Sequence, residues 1–209
     1  MAEDVVSVTA AGEETGRIGP NAILQVAAAL RTLTDEQTTQ QIVTEAGLGR
    51  WLDEPPEAMV PENTVAALHQ TVRAQLKEPL ARRVLVDAGD RTADYVLHNR
   101  IPGPVRVLLR ILPPALSGPM LLRAIQRNAW TFVGSGDFHV DPGRPTILRV
   151  EHNPVINGES ASAPVCHWHA TVFEKLFQRL VWRDASVREV SCMAAGDQFC
   201  SFEVYYRAR

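Results

Sequence analysis

Four residues in the last third of the chain constrain the fold most, because they would have to meet at one point to bind a metal. The three cysteines among them are the only ones in the 209 residues. Three thiolates and a carboxylate form a ligand set that zinc accepts in closed, tetrahedral, structural sites. A turn signal at Gly196-Asp197 would bring the last cysteine back beside the one before it. The four residues are Cys166, Glu189, Cys192 and Cys200.

The same spacing has a plainer explanation, since free cysteine is often a small buried apolar residue. An odd number of cysteines argues against a complete set of disulfides. The acidic start Met1-Ala2-Glu3-Asp4 lacks the basic region of a signal peptide, so the chain is expected in a reducing compartment. Spacing alone therefore leaves zinc ligation and simple burial both open.

The sequence around these residues resembles the vinyl-4-reductase domain, a small-molecule-binding domain also found in sensor modules of phenol-responsive transcription activators. The resemblance covers roughly residues 130–207 and rests on the pattern E-x2-C-x3-G-D-x2-C-x-F, preceded by a cysteine that opens a helix. The resemblance implies that the three cysteines and Glu189 bind a structural zinc. The matching residues are Cys166, Glu189, Cys192, Gly196, Asp197, Cys200 and Phe202.

A second resemblance extends over nearly the whole chain. Residues 16–23, GRIGPNAI, and residues 166–174, CHWHATVFE, are similar to the bacteriochlorophyll 4-vinyl reductase family of photosynthetic bacteria. This resemblance implies a magnesium tetrapyrrole, either a magnesium porphyrin or a chlorophyllide intermediate, as the bound ligand. It also implies other enzymes of pigment synthesis as partners.

The sequence carries no motif for the redox cofactor that a vinyl reduction requires. Gly134-Ser135-Gly136 lacks the third glycine and the following helix of a dinucleotide-binding loop. We therefore expect a carrier or accessory factor of bacteriochlorophyll synthesis that does not reduce a vinyl group by itself. The alternatives are a true vinyl reductase with an external electron donor, an aromatic small-molecule sensor domain, and a purely structural role in assembly.

Composition excludes some classes of protein. A formal charge of −3 gives no general attraction to nucleic acid. No apolar run reaches the roughly 18 residues that a membrane-spanning helix needs. We predict a cytoplasmic protein, and the sequence leaves a homodimer and peripheral membrane contact open.

Hydrophobic periodicity changes at Trp130, which indicates an α+β fold. N-terminal helices are followed by an antiparallel sheet in a zinc-bearing domain of order β-β-α-β-β. We divide the chain into a flexible N-terminus (1–15), a helical region (16–129) and a vinyl-4-reductase-type ligand-binding domain (130–209), with 16–209 forming one compact unit. Helices are predicted at about 19–33, 35–46, 61–76, 79–98 and 164–182, and strands at 131–133, 138–140, 146–150, 187–191 and 201–206.

The most apolar stretch runs from Val105 to Ile125 and is interrupted by arginines. The pattern favours two core helices kinked at Pro113-Pro114. The alternative is an apolar wall for a ligand, or a surface that contacts a membrane or a partner. On that alternative we predict a tetrapyrrole between these helices and the sheet, with arginines meeting its carboxylates.

Histidines offer candidate contacts for the tetrapyrrole metal. His169 shares the inner face of the 164–182 helix with Cys166, so we predict that it contacts the ligand or supports the metal site. His167 lies on the polar face and is predicted to be solvated. No catalytic residue can be assigned. The full set of predicted ligand contacts is Arg106, Arg110, Arg123, Arg127, Trp130, Phe132, Phe138 and His169.

Overall fold

The computed structural model describes residues 16–206, and the predicted flexible N-terminus, residues 1–15, lies outside the described part. Helices dominate the first two thirds, and strands dominate the last. The helices are α1 (Asn21–Leu33), α2 (Glu36–Glu45), α3 (Glu62–Gln75), α4 (Glu78–Asn99), α5 (Gly103–Ile111), α6 (Pro114–Arg127), α7 (Trp130–Val133) and α8 (His167–Leu180). The strands are β1 (Arg17–Ile18), β2 (Val60–Pro61), β3 (Asp137–Asp141), β4 (Thr146–Glu151), β5 (Ser186–Ser191) and β6 (Cys200–Tyr205).

The first four helices begin where their sequences carry start signals. Asp35 caps α2, because its Oδ1 accepts the Thr38 backbone N–H at 2.8 Å. Pro79 lies in the first turn of α4, where its missing N–H has no helical partner in any case. All four predicted helices are confirmed within a few residues, and each buries an apolar stripe.

The last third forms a four-stranded antiparallel sheet in the order β3-β4-β6-β5. Helix α8 connects β4 to β5 and packs against the sheet. Its predicted inner face is buried, because Cys166, His169 and four apolar residues recur at steps of three and four. The α+β class is therefore confirmed, and the elements of this part follow one another as β-β-α-β-β.

Helix α8 packs against α4 and joins the helical region to the sheet. An added Cβ at Gly89 would lie 2.8 Å from the Trp168 backbone oxygen, so the two helices approach too closely for a larger residue. The Trp168 Nε1–H donates to Thr92 Oγ1 at 3.1 Å inside this contact. One cluster of buried residues consequently runs through both regions.

The strand predicted at Thr131-Phe132-Val133 is wrong, because these residues form the helical turn α7. The backbone N–H groups of Phe132 and Val133 both donate to the Ala129 oxygen at 2.9 Å. Gly134 then ends the turn with φ +54°, a value that favours glycine. Aromatic and β-branched residues indicate a strand only when neighbouring strands pair with them, and here the turn packs Val133 into the core instead.

The apolar 105–125 stretch forms two separate helices. Leu112 is extended, with ψ 146°, as expected for a residue before proline, and it separates α5 from α6. Helix α6 buries Leu121, Leu122 and Ile125, as a core helix should. Helix α5 buries only Leu109. The core prediction is therefore wrong for α5, most of whose apolar side chains are exposed.

The segment 153–163, predicted as a loop, begins with a buried 3-10 turn at Pro154–Ile156. Asn153 starts this turn, because its Oδ1 accepts the Val155 backbone N–H at 3.2 Å. The turn packs against α3, so the connection from β4 to α8 is anchored in the core.

Candidate metal centre

Each of the four predicted ligands comes from a different point of the β-α-β unit. Cys166 immediately precedes α8, and Glu189 lies within β5. Cys192 directly follows β5, and Cys200 is the first residue of β6. The structure brings all four together, and their nearest ligand atoms lie within 4.8 Å of one another.

The spacing of the sulfurs matches a tetrahedral zinc site. The Cys166 Sγ lies 3.9 Å from the Cys192 Sγ and 3.7 Å from the Cys200 Sγ. Zn–S bonds of about 2.3 Å in a tetrahedron place the sulfurs about 3.8 Å apart. These distances are far longer than a disulfide bond, and all three cysteines are free and buried.

The connection between β5 and β6 shapes the site. The pairing register shifts between Glu189 and Ser191, so a bulge there re-aims the end of β5. Gly196 then adopts φ +92°, which glycine permits without strain. The Asp197 Oδ2 accepts the Cys192 backbone N–H at 2.8 Å and closes the loop. The turn predicted at Gly196-Asp197 is therefore confirmed.

The Glu189 carboxylate is placed as a fourth ligand. Its Oε2 accepts the Cys166 backbone N–H at 2.8 Å, and its Oε1 is buried without a hydrogen-bond partner. Burial, and then the neighbouring Cys192, raise the pKa of Glu189 to about 8. A cation beside Oε1 would supply the missing partner and stabilise the ionised form.

The thiols share their protons. Hydrogen bonds from Cys166 and Cys192 lower the pKa of Cys200 to about 4, whereas the same contacts and burial raise the pKa of Cys166. Such a cluster favours thiolate once a cation enters, since a zinc ligand must be deprotonated. Because the protein supplies all four donors, the site suits a structural metal better than a catalytic one.

Asn153 is part of the centre, and sequence analysis missed it. Its Nδ2 lies 3.5 Å from the sulfurs of both Cys166 and Cys200, and its side chain is buried. N–H groups that donate to thiolates stabilise their charge. An asparagine at the start of a connection gives no such signal in sequence, because its partners lie 13 and 47 residues away.

His169 lies in the aromatic core. Its Nε2 is 3.3 Å from the Phe132 backbone oxygen, and its Nδ1 is buried without a partner. Burial lowers its pKa to about 4, so the ring is neutral at pH 7. Within residues 16–206 no hydrogen bond joins His169 to the four metal ligands, so support of the metal through such a bond stays without evidence.

The eight predicted ligand contacts occupy different environments. Phe132, Phe138 and His169 pack with Phe173 in the core, where the Phe132 and Phe138 rings are 5.4 Å apart. Trp130 is 58% exposed. The arginines of α5 and α6 are exposed or half-buried. The structure thus brings the three core residues together and leaves the arginines and Trp130 nearer the surface.

A cleft of about 820 Å³ opens next to the metal centre. Its walls come from α4, α8, β5 and residues 159–165, and they include the metal ligand Glu189. His167 lines the cleft half-buried, which differs from the solvated position predicted for it. Burial and the positive charges of Arg82 and Arg73 lower the pKa of His167, which favours a neutral ring.

Positive charge in the cleft is partly unpaired. Arg73 forms an ion pair with Glu159. The Glu174 Oε2 accepts the Val187 backbone N–H at 3.0 Å. Among the described residues Arg82 and Lys175 have no ion pair, so both can meet an anionic group of a ligand.

No helix within residues 16–206 combines the length and the apolar character needed to cross a membrane.

Comparisons with known proteins cover both the centre and the whole chain. The vinyl-4-reductase domain family matches residues 146–205, which contain all four predicted ligands. A bacteriochlorophyll synthase 23 kDa chain from Cereibacter sphaeroides is 44% identical over 193 residues, which cover 92% of each chain. The protein of the same description from Rhodobacter capsulatus is 38% identical over 197 residues, covering 94% of this chain and 91% of the relative.

A solved structure shares the fold over most of its length. It is an H-NOX protein from K. algicida, in an unliganded Fe(II) form, with a TM-score of 0.54 and 10% identity. The match covers 90% of this chain and 95% of that one. At this identity the likeness shows the fold alone.

Proposed function

The chain belongs to the family of the bacteriochlorophyll synthase 23 kDa chains, whose members are matched over nearly their whole length, and we propose that it binds a magnesium tetrapyrrole precursor as a carrier or accessory factor of bacteriochlorophyll synthesis. The observation that carries this proposal is that whole-length similarity. The vinyl-4-reductase domain match over residues 146–205 supports small-molecule binding in the same part of the chain.

We propose zinc as the resident metal of the vinyl-4-reductase domain. The donor set, the sulfur spacing and the unpartnered Glu189 Oε1 support it. Zinc would fix the start of α8 to the β5–β6 connection, and its binding free energy would add to folding stability. Its role is structural in this proposal, since the four protein donors leave no coordination position for a substrate.

We place the tetrapyrrole in the cleft beside the zinc centre. A volume of about 820 Å³ lies in the range of ligand sites. Magnesium in a tetrapyrrole accepts an axial nitrogen, and the neutral, half-buried ring of His167 is suited to supply it. Arg82 and Lys175 are suited to the carboxylate of the pigment, and apolar atoms of Val86 and Val165 to its ring edge.

The location between the 105–125 helices and the sheet has weaker support. Phe132 and Phe138 already fill the space beneath α6 with an edge-to-face contact. Opening that region would require these rings to separate from Phe173. The cleft requires no such repacking, so we favour it.

Absorbance titration tests the proposal. The purified full chain is titrated with a magnesium porphyrin and with a chlorophyllide, and we expect a saturable spectral shift at micromolar concentrations. His167→Ala should weaken binding at least tenfold and change the shift, because the axial ligand is lost. His139→Ala is the matched control, since His139 is an exposed histidine of β3.

Two arginine variants separate the competing locations. Arg82→Glu should weaken binding of the pigment carboxylate, and Arg123→Glu should not. The opposite result would favour the site between α6 and the sheet. Absence of any spectral shift would contradict tetrapyrrole binding, and turnover of a divinyl pigment by the pure protein with a reductant would contradict the carrier role.

A further inference from the structure

Helix α5 presents its apolar side to solvent. Val107, Leu108 and Ile111 lie on one side at helical spacing and are 57%, 41% and 72% exposed. Val105 extends this apolar arc and is also exposed. Helices of globular proteins turn such a stripe toward the core. The orientation of α5 is therefore reversed, which indicates a surface that another apolar phase covers.

Helix α6 continues this surface. Its outer stripe recurs at helical spacing and carries Leu116 and Met120, followed by Arg123 and Arg127, all exposed. Its inner stripe is buried against the rest of the protein. Trp130 follows shortly after α6 ends and is exposed as well. Tryptophan suits a boundary between apolar and wet surroundings, since its ring is large and apolar and its N–H is polar.

The same segment is strongly basic in an acidic protein. Residues 95–136 contain five arginines and no aspartate or glutamate, although the whole chain has a formal charge of −3. On α5, Arg106 and Arg110 lie together on the side of the helix away from Val107 and Ile111. One N–H of Arg110 is used by the Arg179 backbone oxygen at 3.0 Å, which leaves the rest of its guanidinium free for an external acceptor.

We propose that α5 and α6 form a docking surface for an anionic lipid bilayer. The apolar side chains of α5 and the start of α6 would enter the boundary between headgroups and acyl chains. The arginines and Trp130 would remain at the level of the headgroups, where guanidinium groups bind phosphate. An apolar arc with flanking basic residues is the pattern of a helix that lies in the membrane plane.

Two features favour a membrane over a protein partner. The apolar residues are aliphatic side chains on short helices that prolines interrupt, and they form a raised, convex set rather than a groove for a partner helix. The complete absence of carboxylates over residues 95–136 complements a surface of one charge sign, such as anionic headgroups. A second copy of this chain would present the same five arginines and repel them.

Vesicle co-sedimentation tests the surface with the full chain. The probes are vesicles of phosphatidylcholine alone and of phosphatidylcholine with phosphatidylglycerol. We expect binding to the anionic vesicles that weakens with added salt. Arg123→Gln with Arg127→Gln should weaken binding about thirtyfold, since one basic residue near an anionic surface contributes about fivefold. Arg183→Gln, at an exposed arginine on the far loop after α8, is the matched control.

The apolar contribution has its own variant pair. Val107→Gln with Ile111→Gln removes apolar side chains without adding charge, so it should abolish binding while the fold remains, because both residues are exposed. Val190→Gln, at an exposed valine of β5, should bind as the unchanged protein does. The proposal would be overturned by no binding, by equal binding to neutral vesicles, or by controls that fail equally. It would also be overturned if the protein self-associates without vesicles and the α5 variant alone makes it monomeric.

Discussion

Asn153 offers the sharpest test of the metal centre, because it contacts two sulfurs without being a ligand. Its Nδ2 lies 3.5 Å from the sulfurs of Cys166 and Cys200, and its Oδ1 accepts the Val155 backbone N–H at 3.2 Å. Replacing it with alanine removes all three contacts. The change leaves the four proposed zinc ligands intact, so it separates support of the metal from coordination.

The size of the effect follows from these contacts. Loss of a hydrogen bond that supports a metal ligand typically weakens metal affinity about tenfold to a hundredfold, which corresponds to about 1.4–2.7 kcal/mol. We expect Asn153→Ala to weaken zinc binding by that factor. Loss of the Val155 contact should cost about 1 kcal/mol more, and this part does not depend on metal.

Competition with a chromophoric chelator near neutral pH measures the zinc affinity, and urea unfolding with and without chelator separates the two contributions. Asn153→Asp keeps an acceptor for Val155 but donates nothing and adds charge beside the thiolates, so it should bind zinc more weakly than the alanine variant. Asn157→Ala, at an exposed asparagine of the same connection, is the control. Unchanged zinc affinity in Asn153→Ala would refute a role for the N–H···S contacts.

Three further changes test coordination, packing and protonation. Cys200→Ser removes a proposed ligand, so elemental analysis should find less than one zinc per chain and the protein should be loosely folded; full zinc content would contradict this. Gly118→Ala would push a Cβ into the ring of Tyr206 and should lower stability by about 1–3 kcal/mol in thermal unfolding, whereas Gly103→Ala, whose nearest neighbour is 3.6 Å away, should have little effect. Burial lowers the pKa of His69 to about 3, so its contribution to stability is intact above about pH 6.5 and falls by about 1.4 kcal/mol per pH unit below it. His69→Gln should remove that part of the slope in urea unfolding, and an unchanged slope would contradict the burial argument.

Periodicity and turn chemistry predict much of the vinyl-4-reductase domain. The inner face of α8 is visible in sequence because residues from Cys166 to Leu180 recur at helical steps. The turn at Gly196 is visible because few residues other than glycine adopt φ +92° without strain. These two local signals determine where Cys166 and Cys200 lie relative to β5, so the proposed ligand set could be predicted.

Other features depend on contacts that a local pattern does not contain. The stripe on α5 is visible in sequence, but periodicity does not say which side faces the core, and here the apolar side faces outward. Asn153 meets its sulfurs only after β6 and α8 are in place. Val133 is packed by a helical turn although its neighbours favour a strand.

The geometry of α8 connects the proposed zinc with the proposed ligand site. Cys166 and His167 are consecutive, yet Cys166 points into the metal centre and His167 lines the cleft. Glu189 belongs to both, since its carboxylate approaches the sulfurs and its residue forms part of the cleft wall. A metal that fixes Cys166 to Glu189 would therefore fix the distance between the first turn of α8 and β5. Because that distance sets the width of the cleft, a zinc remote from any chemistry can still determine which ligand the cleft accepts.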